Sequence, residues 1–369
     1  MGKCLITKLN GSTNNSDLLR IAEMRIKFHK VSNPTATTQC LEIGVLRDTK
    51  LEIIGDGYFT DSSLSKNKGK NLTIAANVNT EVYVSNNDME VAVLDKYAIT
   101  VLKVKSGYKG DMSFNIDCLK YSTSINYIFL RSTNISGDIS ALKNLTNLTY
   151  TDMTYTQVSG DISALKNLTA LTSLNMSDTQ ISGDIANLKN LTALTSLNMS
   201  DTQVSGDIAT FKNFTNLSIF GGNNTQISGD IANLKNLTAL TSLNMSNTQI
   251  SGDIANLKNL TALTKIEFKN VTGLTGDMGT LPDNILFFTG GNGNFTWTTS
   301  SRTYILATEK IKCDKIDDML NDMATKTAKF AGEQAWYKTI SLIGTRTSAS
   351  DAAVATLQQK GYTVSITPA

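Results

Sequence analysis

Cysteine and histidine are scarce in this sequence of 369 residues, which contains four cysteines and one histidine. The cysteines lie far apart and form no CxxC pair, so neither a disulfide framework nor a zinc site is expected. Scattered thiols of this kind suit a protein that folds in a reducing cytoplasm. The single histidine, His29, falls on the polar side of a predicted strand, where a solvated side chain is more common than a catalytic base. The cysteines are Cys4, Cys40, Cys118 and Cys313.

An excess of charge and long apolar runs are also missing. The 34 basic and 32 acidic residues give a formal net charge of +2, so no nucleic acid or anionic membrane is expected as a partner. No apolar run approaches the ~18 residues needed to span a bilayer, and no membrane insertion is expected. The first residues, MGKCLITKLNGSTNN, lack the apolar core of a secretory signal. This favours synthesis in the cytoplasm without a signal peptide.

Motifs that carry catalysis are absent from the sequence as well. It contains no GxSxG, HExxH, Walker A or HxE…CxxC pattern. The glycine cluster TGGNGN at 289–294 lacks the strand–GxGxxG–helix setting of a nucleotide site and is interpreted as a loop. We therefore predict no catalytic residue, no metal and no cofactor, and a protein that is not an enzyme.

The dominant feature of the sequence is an internal repeat. The unit that begins at Ile181 is ISGDIANLKNLTALTSLNMSDTQ, and it recurs with small changes at a step of 23 residues. A looser copy begins at Leu274 after a step of 24, and a degenerate copy begins at Tyr108. A period held this long indicates a stack of identical structural units. The regular copies begin at Ile135, Val158, Ile181, Val204, Ile227 and Ile250.

The spacing of apolar residues predicts the shape of one unit. Leu197 and Met199 are two residues apart, so both side chains point to the same face of a short strand. Leu188, Leu191 and Leu194 recur every three residues, as a tight helical turn requires. One unit cannot bury this face alone, so neighbouring units stack and share a continuous core.

This LxxLxxLxM pattern resembles the leucine-rich-repeat family, whose unit of roughly 20–29 residues carries LxxLxLxxN/C. The resemblance covers about 105–282 and implies a solenoid, and the LxGxI stretch is similar to the variant with a second small sheet. Threonine takes the position that is normally Asn or Cys, where its hydroxyl could satisfy buried backbone groups. These threonines are Thr133, Thr156, Thr179, Thr202, Thr225, Thr248 and Thr272.

Two further residues recur in every regular copy. Gly183 and its equivalents fall at a corner where a positive φ or close packing favours glycine. Asp184 and its equivalents follow at once, where a carboxylate would cap the next turn. A row of aspartates could instead bind Ca²⁺, but calcium needs six to eight converging oxygens. Capping is the favoured interpretation.

The flanks do not follow the repeat. In residues 1–104, Met24, Ile26 and Phe28 alternate with charged residues, and similar runs predict an all-β, sandwich-like domain. The stretch at 51–70, LEIIGDGYFTDSSLSKNKGK, resembles structural proteins of phages that infect Bacteroidota, including crAss-like phages.

Residues 283–369 are predicted to form an α/β region that caps the solenoid, with an independent binding domain as the alternative. One amphipathic helix is expected over Ile316, Met319, Leu320, Met323 and Phe330. A second helix is predicted with a capping-box-like start at Ser348 and Asp351 and a stop at Gly361, flanked by strand-like runs at 339–344 and 362–366. The fold class is thus mixed: an all-β domain, a solenoid of 23-residue repeats and an α/β cap.

The concave face of the solenoid is the expected binding surface. Its central copies offer only small polar residues, namely Ser173, Asn175, Ser177, Asp178, Ser196, Asn198, Ser200 and Asp201. The early copies offer larger ones, and aromatic residues beside an arginine are typical of interface hot spots. The alternative is that these rings pack under the N-terminal domain. The candidate binding residues are Tyr127, Phe129, Arg131, Tyr150 and Tyr155.

These patterns predict a recognition or assembly protein rather than an enzyme. The phage resemblance implies a virion component, tail- or fibre-associated, whose partners are virion neighbours or a host-surface receptor or glycan. The alternative is a bacterial leucine-rich-repeat module that binds a protein in the cytoplasm or at the cell surface. The sequence sets neither the ligand nor the oligomeric state.

Overall fold

The computed structural model divides the chain into two compact units, Met1–Ala193 and Leu194–Ala369. Each unit is built from strands and short turns, with α-helices only near the end of the second among the described residues. The structure describes residues 24–28, 40–45, 49–55, 59–60, 71–77, 79–84, 89–93, 99–104, 112–285, 287–290, 293–298, 300, 302–328 and 338–368.

The first unit begins with two antiparallel sheets. One has the strand order β5-β3-β7-β1-β9, and the other has the order β4-β6-β2-β8. The described part of 1–104 is therefore strand and turn, and its packing as a sandwich stays a prediction. The strands are β1 (Met24–Phe28), β2 (Cys40–Val45), β3 (Thr49–Gly55), β4 (Phe59–Thr60), β5 (Asn71–Ile74), β6 (Asn79–Val84), β7 (Met89–Val93), β8 (Ile99–Val104) and β9 (Met112–Ser113).

The repeats of the first unit form two parallel ladders. The main ladder continues from β8 through β10 (Tyr127–Phe129), β12 (Tyr150–Asp152) and β14 (Ser173–Asn175). The second contains β11 (Ser136–Asp138), β13 (Gln157–Asp161) and β15 (Gln180–Asp184). Because β8 pairs with β10, the N-terminal strands cover the end of the main ladder directly. The intervening 3₁₀ turns are Ile116–Leu119, Ile139–Leu142, Ile162–Leu165 and Ile185–Leu188.

The second unit repeats this arrangement. Both of its ladders are parallel, and both continue past residue 282. The main ladder contains β16 (Ser196–Asn198), β18 (Ile219–Gly221), β20 (Ser242–Asn244), β22 (Lys265–Glu267) and β24 (Phe287–Thr289). The second contains β17 (Gln203–Asp207), β19 (Gln226–Asp230), β21 (Gln249–Asp253), β23 (Gly273–Asp277) and β25 (Asn294–Thr296). The 3₁₀ turns are Ile208–Phe211, Ile231–Leu234, Ile254–Leu257 and Met278–Thr280.

The corner of each repeat explains why glycine and aspartate recur together. Gly183 has a φ of +104°, and Asp184 Oδ1 accepts a hydrogen bond from the Ala186 amide at 2.8 Å. A Cβ added to Gly183 would lie 2.6 Å from Oδ1 of Asp161, the cap of the preceding repeat. The glycine therefore supplies both the left-handed backbone and the space for a neighbouring carboxylate. The predicted capping role of the aspartates is confirmed by these hydrogen bonds.

The repeated threonines are buried and hydrogen-bonded as the sequence predicts. Thr202 Oγ1 donates to the Met199 carbonyl at 2.6 Å, and Thr179 makes the same bond to Met176. The prediction was wrong at Thr272, which is exposed. The extra residue of that 24-residue copy moves Thr272 out of line, and Val271 is the buried residue in its place.

The C-terminal strands extend the main ladder of the second unit. β26 pairs in parallel with β24 and β27, and β27 pairs in parallel with β28. The predicted helical stripe is buried at Ile316, Met319, Leu320 and Met323, while Phe330 lies outside the described residues. The elements are β26 (Ala307–Lys312), α1 (Ile316–Ala324), β27 (Thr339–Ile343), the 3₁₀ turn Ser348–Ser350, α2 (Asp351–Gln359) and β28 (Thr363–Thr367).

The start of the second C-terminal helix differs from the prediction. The helix has Ser350 at its N-cap without a side-chain capping bond, and the cap lies on the preceding 3₁₀ turn, where the Thr347 hydroxyl, not that of Ser348, accepts from the Ala349 amide at 3.2 Å. Asp317 accepts a hydrogen bond from the Thr347 hydroxyl and so ties α1 to this turn. Gly361 ends the helix with a φ of +86°, as predicted. A capping role for the region stays a prediction.

Candidate functional site

In each unit, the main ladder presents one side to the core and the other side outward, and we call the outward side the ladder face. In the strand β14, Leu174 is buried while Ser173 and Asn175 on either side are half-buried. The ladder face is thus built from the first and third residues of each short strand, as the alternation of strand side chains requires.

Each strand of the main ladder is one rung, and the rungs β14, β16 and β20 present small polar residues while β18 presents the exposed Ile219. Two of the polar residues predicted on this face are buried. Asn175 Oδ1 accepts hydrogen bonds from the amide and hydroxyl of Ser177, at 3.2 and 2.9 Å. Asn198 and Ser200 repeat this arrangement at 3.1 and 2.7 Å. These hydrogen bonds hold the serine side chains against the asparagine, and Ser177 and Ser200 are buried.

Aromatic side chains occupy the first two repeat rungs of the ladder face. Tyr127 and Tyr150 are in register on β10 and β12, and their rings stack with centroids 4.4 Å apart and planes 7° apart. The ring of Phe129 lies 6.5 Å from that of Tyr150. All three rings are half-buried. Parallel strands hold them in line because neighbouring strands are about 4.8 Å apart.

Arg131 and Tyr155 lie beside these rings. Arg131 Cζ is 5.9 Å from the centroid of the Tyr155 ring, a cation–π distance. Tyr155 is 55% exposed and has a φ of +55°, a left-handed backbone conformation. Asp178, the equivalent residue of the next repeat, has the same conformation. A large aromatic residue is unusual at such a position, where Asn and Asp are favoured. We call Tyr127, Phe129, Arg131, Tyr150 and Tyr155 the aromatic cluster.

Asp152 adds a negative charge next to the aromatic cluster. It is only 4% exposed, and its Oδ1 accepts from the amide and hydroxyl of Thr154 at 3.0 and 2.6 Å. Burial raises the pKa of Tyr150 to about 12, and the charge of Asp152 and the neighbouring Tyr127 add to the shift, while Arg131 opposes it. The neutral form of the Tyr150 hydroxyl is therefore favoured up to a higher pH than that of an exposed tyrosine.

Of the five residues predicted from the sequence, Tyr127, Phe129 and Tyr150 lie on the ladder face, and Arg131 and Tyr155 lie in the turns that follow their strands. Their role in binding remains a prediction, but their rings are accessible at least in part. Sequence reasoning missed Asp152, although a signal existed. Asn175, Asn198 and Asn244 occupy the equivalent position in other repeats, so an aspartate there breaks the pattern.

No group of three or more His, Cys, Asp or Glu side chains within the described ranges could hold a metal ion. In that same part of the chain, no helix is long and apolar enough to cross a membrane.

Comparisons with known proteins give likenesses of fold. No protein-family model and no curated protein matches the sequence. The leucine-rich-repeat ectodomain of the receptor kinase GASSHO1/SCHENGEN3 from Arabidopsis thaliana is 18% identical, with a TM-score of 0.49, over 68% of this chain and 33% of that one. The leucine-rich-repeat ectodomain of the Arabidopsis receptor kinase HAESA is 20% identical, with a TM-score of 0.48, over 64% of this chain and 41% of that one.

A bacterial structure is similar over a shorter stretch of this chain. Internalin C2 from Listeria monocytogenes is 23% identical, with a TM-score of 0.38, over 48% of this chain and 85% of that one. This chain spans less than half the length of either plant receptor. The parallel ladders and regular repeats described above fit a leucine-rich-repeat solenoid.

Proposed function

We propose that this protein is a non-catalytic recognition module that binds a protein partner through the aromatic cluster on the ladder face. The observation that carries the proposal is the contrast between strands of the main ladder. The strands β14, β16 and β20 present serine and asparagine and β18 presents Ile219 and Gly221, whereas the first two repeat rungs present three half-buried rings, an exposed tyrosine and an arginine. Tyrosine and arginine are among the residues that most often dominate binding energy at interfaces.

The geometry of the aromatic cluster suits binding because it is organised before a partner arrives. The Tyr127–Tyr150 stack and the Arg131–Tyr155 contact hold long side chains in place. Ordering a flexible side chain at an interface costs about 0.5–1.5 kcal/mol. A cluster that is already ordered avoids much of that cost.

The setting that we propose is a phage particle, in which the N-terminal strands attach to the virion and the ladder face meets a host-surface protein. This setting rests on the resemblance of 51–70 to phage structural proteins, and most of that stretch lies outside the described residues. A bacterial interaction module would use the same face. Genes for portal, capsid and tail proteins beside this one would support the virion, whereas metabolic or surface-transport neighbours would contradict it.

The binding role can be tested by capture with matched variants. Immobilised wild-type protein, Tyr150→Ala, Phe129→Ala and Asn198→Ala would be exposed to a surface-protein fraction of the host cell, and retained proteins identified by mass spectrometry. A protein retained by the wild type and by Asn198→Ala, but lost from both aromatic variants, is the expected result. A set of retained proteins that is the same for all four, with all four folded, would refute the proposal.

A further inference from the structure

The Tyr127–Tyr150 stack ends abruptly at the next rung. Tyr150 has Tyr127 on one side in register and Ser173 on the other, on β14. The Tyr127 ring covers one face of the Tyr150 ring at 4.4 Å. The opposite face lies towards Ser173, whose side chain is too short to cover it. The ladder therefore leaves an open ring face above a serine.

The strand spacing above Ser173 matches the thickness of one stacked ring. Strands in a sheet are about 4.8 Å apart, close to the spacing of stacked rings. A ring stacked on the open face of Tyr150 would occupy the place that a third tyrosine at residue 173 would fill. It would lie beside Asn175 on the same strand and diagonally across from Asp152.

The groups around this space offer both hydrogen-bond donors and acceptors. Within the described residues, the hydrogen bonds of the Asp152 carboxylate go to Oδ1, so Oδ2 keeps its accepting capacity. Asn175 uses its oxygen for Ser177, and its amide Nδ2 remains able to donate. The Ser173 hydroxyl can do either. Asp152 and Arg131 carry opposite charges, which favours a neutral ligand over an ion.

We infer that the open face of Tyr150, with Ser173, Asn175 and Asp152, forms a binding site for a neutral pyranose ring of a glycan carried by the partner. The inference rests on the proposed function, because it uses the same face. The C–H bonds on one side of a pyranose stack on the negative face of an aromatic ring. Its hydroxyls can donate to Asp152 Oδ2 and accept from Asn175 Nδ2.

The polar rim distinguishes a sugar from an aromatic side chain of the partner. An apolar ring in this space would cover Asp152 Oδ2 and Asn175 Nδ2 without offering a hydrogen bond to either. Leaving a buried polar group unpaired is unfavourable, and more so for a charged one. A hydroxylated ring restores those bonds while it keeps the stacking contact.

The test fills the site with the protein's own side chain. Ser173→Tyr extends the stack by one ring and blocks the space, whereas Ser173→Ala leaves it open. Asp152→Asn restores the residue found in other repeats, keeps an oxygen for Thr154, and replaces the charged Oδ2 acceptor with an NH2 donor. Binding of a panel of methyl pyranosides, with N-acetyl-tyrosinamide as the aromatic probe, would be measured by NMR on the full chain with labelled tyrosine rings.

We expect at least one methyl pyranoside to shift the Tyr150 ring signals saturably in the wild type and in Ser173→Ala. Ser173→Tyr should abolish the shift, and Asp152→Asn should weaken binding about tenfold, the effect of losing a hydrogen bond to a charged group. Unchanged melting of each variant shows that it is folded.

Two results would overturn the inference. One is binding of N-acetyl-tyrosinamide while no pyranoside binds, and the other is pyranoside binding that Ser173→Tyr leaves intact. The proposed function is judged separately, by whether partner capture depends on Tyr150 and Phe129. If capture needs those rings but survives Ser173→Tyr, the sugar site is wrong and the recognition module stands.

Discussion

At the residue scale, a buried threonine hydroxyl replaces the asparagine or cysteine usual in this kind of repeat. Thr202 donates to a carbonyl three residues earlier in its own repeat, and the equivalent threonines at 133, 156, 179, 225 and 248 do the same. A buried carbonyl left without a donor is unfavourable. The threonine thus stabilises the tight turn that follows each strand.

Replacing Thr202 with valine keeps the shape of the side chain and removes the donor. We expect Thr202→Val to lower the free energy of unfolding by about 1–3 kcal/mol, because the Met199 carbonyl loses its partner. Thr202→Ser retains the hydroxyl and serves as the control, with a loss of about 0.8 kcal/mol for the methyl group. Denaturant unfolding measures both, and a neutral valine variant would show that the hydroxyl contributes nothing.

Gly183 gives a second test at the same scale. Gly183→Ala should be destabilising by about 1–3 kcal/mol, since alanine must adopt a positive φ, and its Cβ would meet the Asp161 cap. Ser182→Ala, on the neighbouring half-buried residue, should change stability by less than about 0.5 kcal/mol. Thermal melting compares the two. Equal melting temperatures would mean that the corner tolerates a side chain.

At the scale of the element, each repeat combines a strand that buries its middle residue with a turn that buries every third residue. Leu197 is fully buried in β16, and Ser196 beside it is half-buried on the ladder face. Leu197→Ala should cost about 2–5 kcal/mol from lost contacts and the cavity left behind. Ser196→Ala should cost less than about 0.5 kcal/mol. Small, equal losses in denaturant unfolding would mean that the inward face is wrongly assigned.

The strands, turns and second ladder could be predicted because a 23-residue period samples the same pattern many times. Changes that occur in only one copy could not be predicted in this way. One extra residue in the copy before Leu274 could be placed on either side of the buried position, and the sequence does not show that Val271 takes it. In another copy Phe211, Phe214 and Phe220 replace leucines while Gly222 replaces methionine, a compensation that only packing shows.

The sequence predicted which residues form the candidate site but not the contacts between their side chains. The sequence places Tyr127 and Tyr150 one repeat apart, and the strand register then brings their rings face to face. The open ring face above Ser173 follows from the same register. The burial of Asp152 and of Ser177 depends on side-chain hydrogen bonds within a turn, which periodicity does not specify.

At the scale of the whole molecule, the row of corner aspartates could either cap the turns of the solenoid or bind a metal that the solenoid needs for stability. Each corner aspartate already accepts a hydrogen bond from the amide two residues later, as Asp230 does from the Ala232 amide at 2.8 Å. We therefore expect the melting temperature to stay the same after chelator treatment and after addition of calcium. A metal that binds only the folded state would raise it by mass action, so a calcium-dependent rise would overturn the capping role.

The central claim is that recognition depends on the aromatic cluster and not on the polar rungs. The most direct test is the dissociation constant of the captured partner for Tyr150→Ala and Asn198→Ala, measured by surface plasmon resonance beside the wild type. Truncating a hot-spot residue costs about 2 kcal/mol or more, which corresponds to a roughly 30-fold weaker Kd. We predict that loss for Tyr150→Ala and a change below about twofold for Asn198→Ala. Equal affinity of both variants, or a larger loss for Asn198→Ala, would contradict the claim.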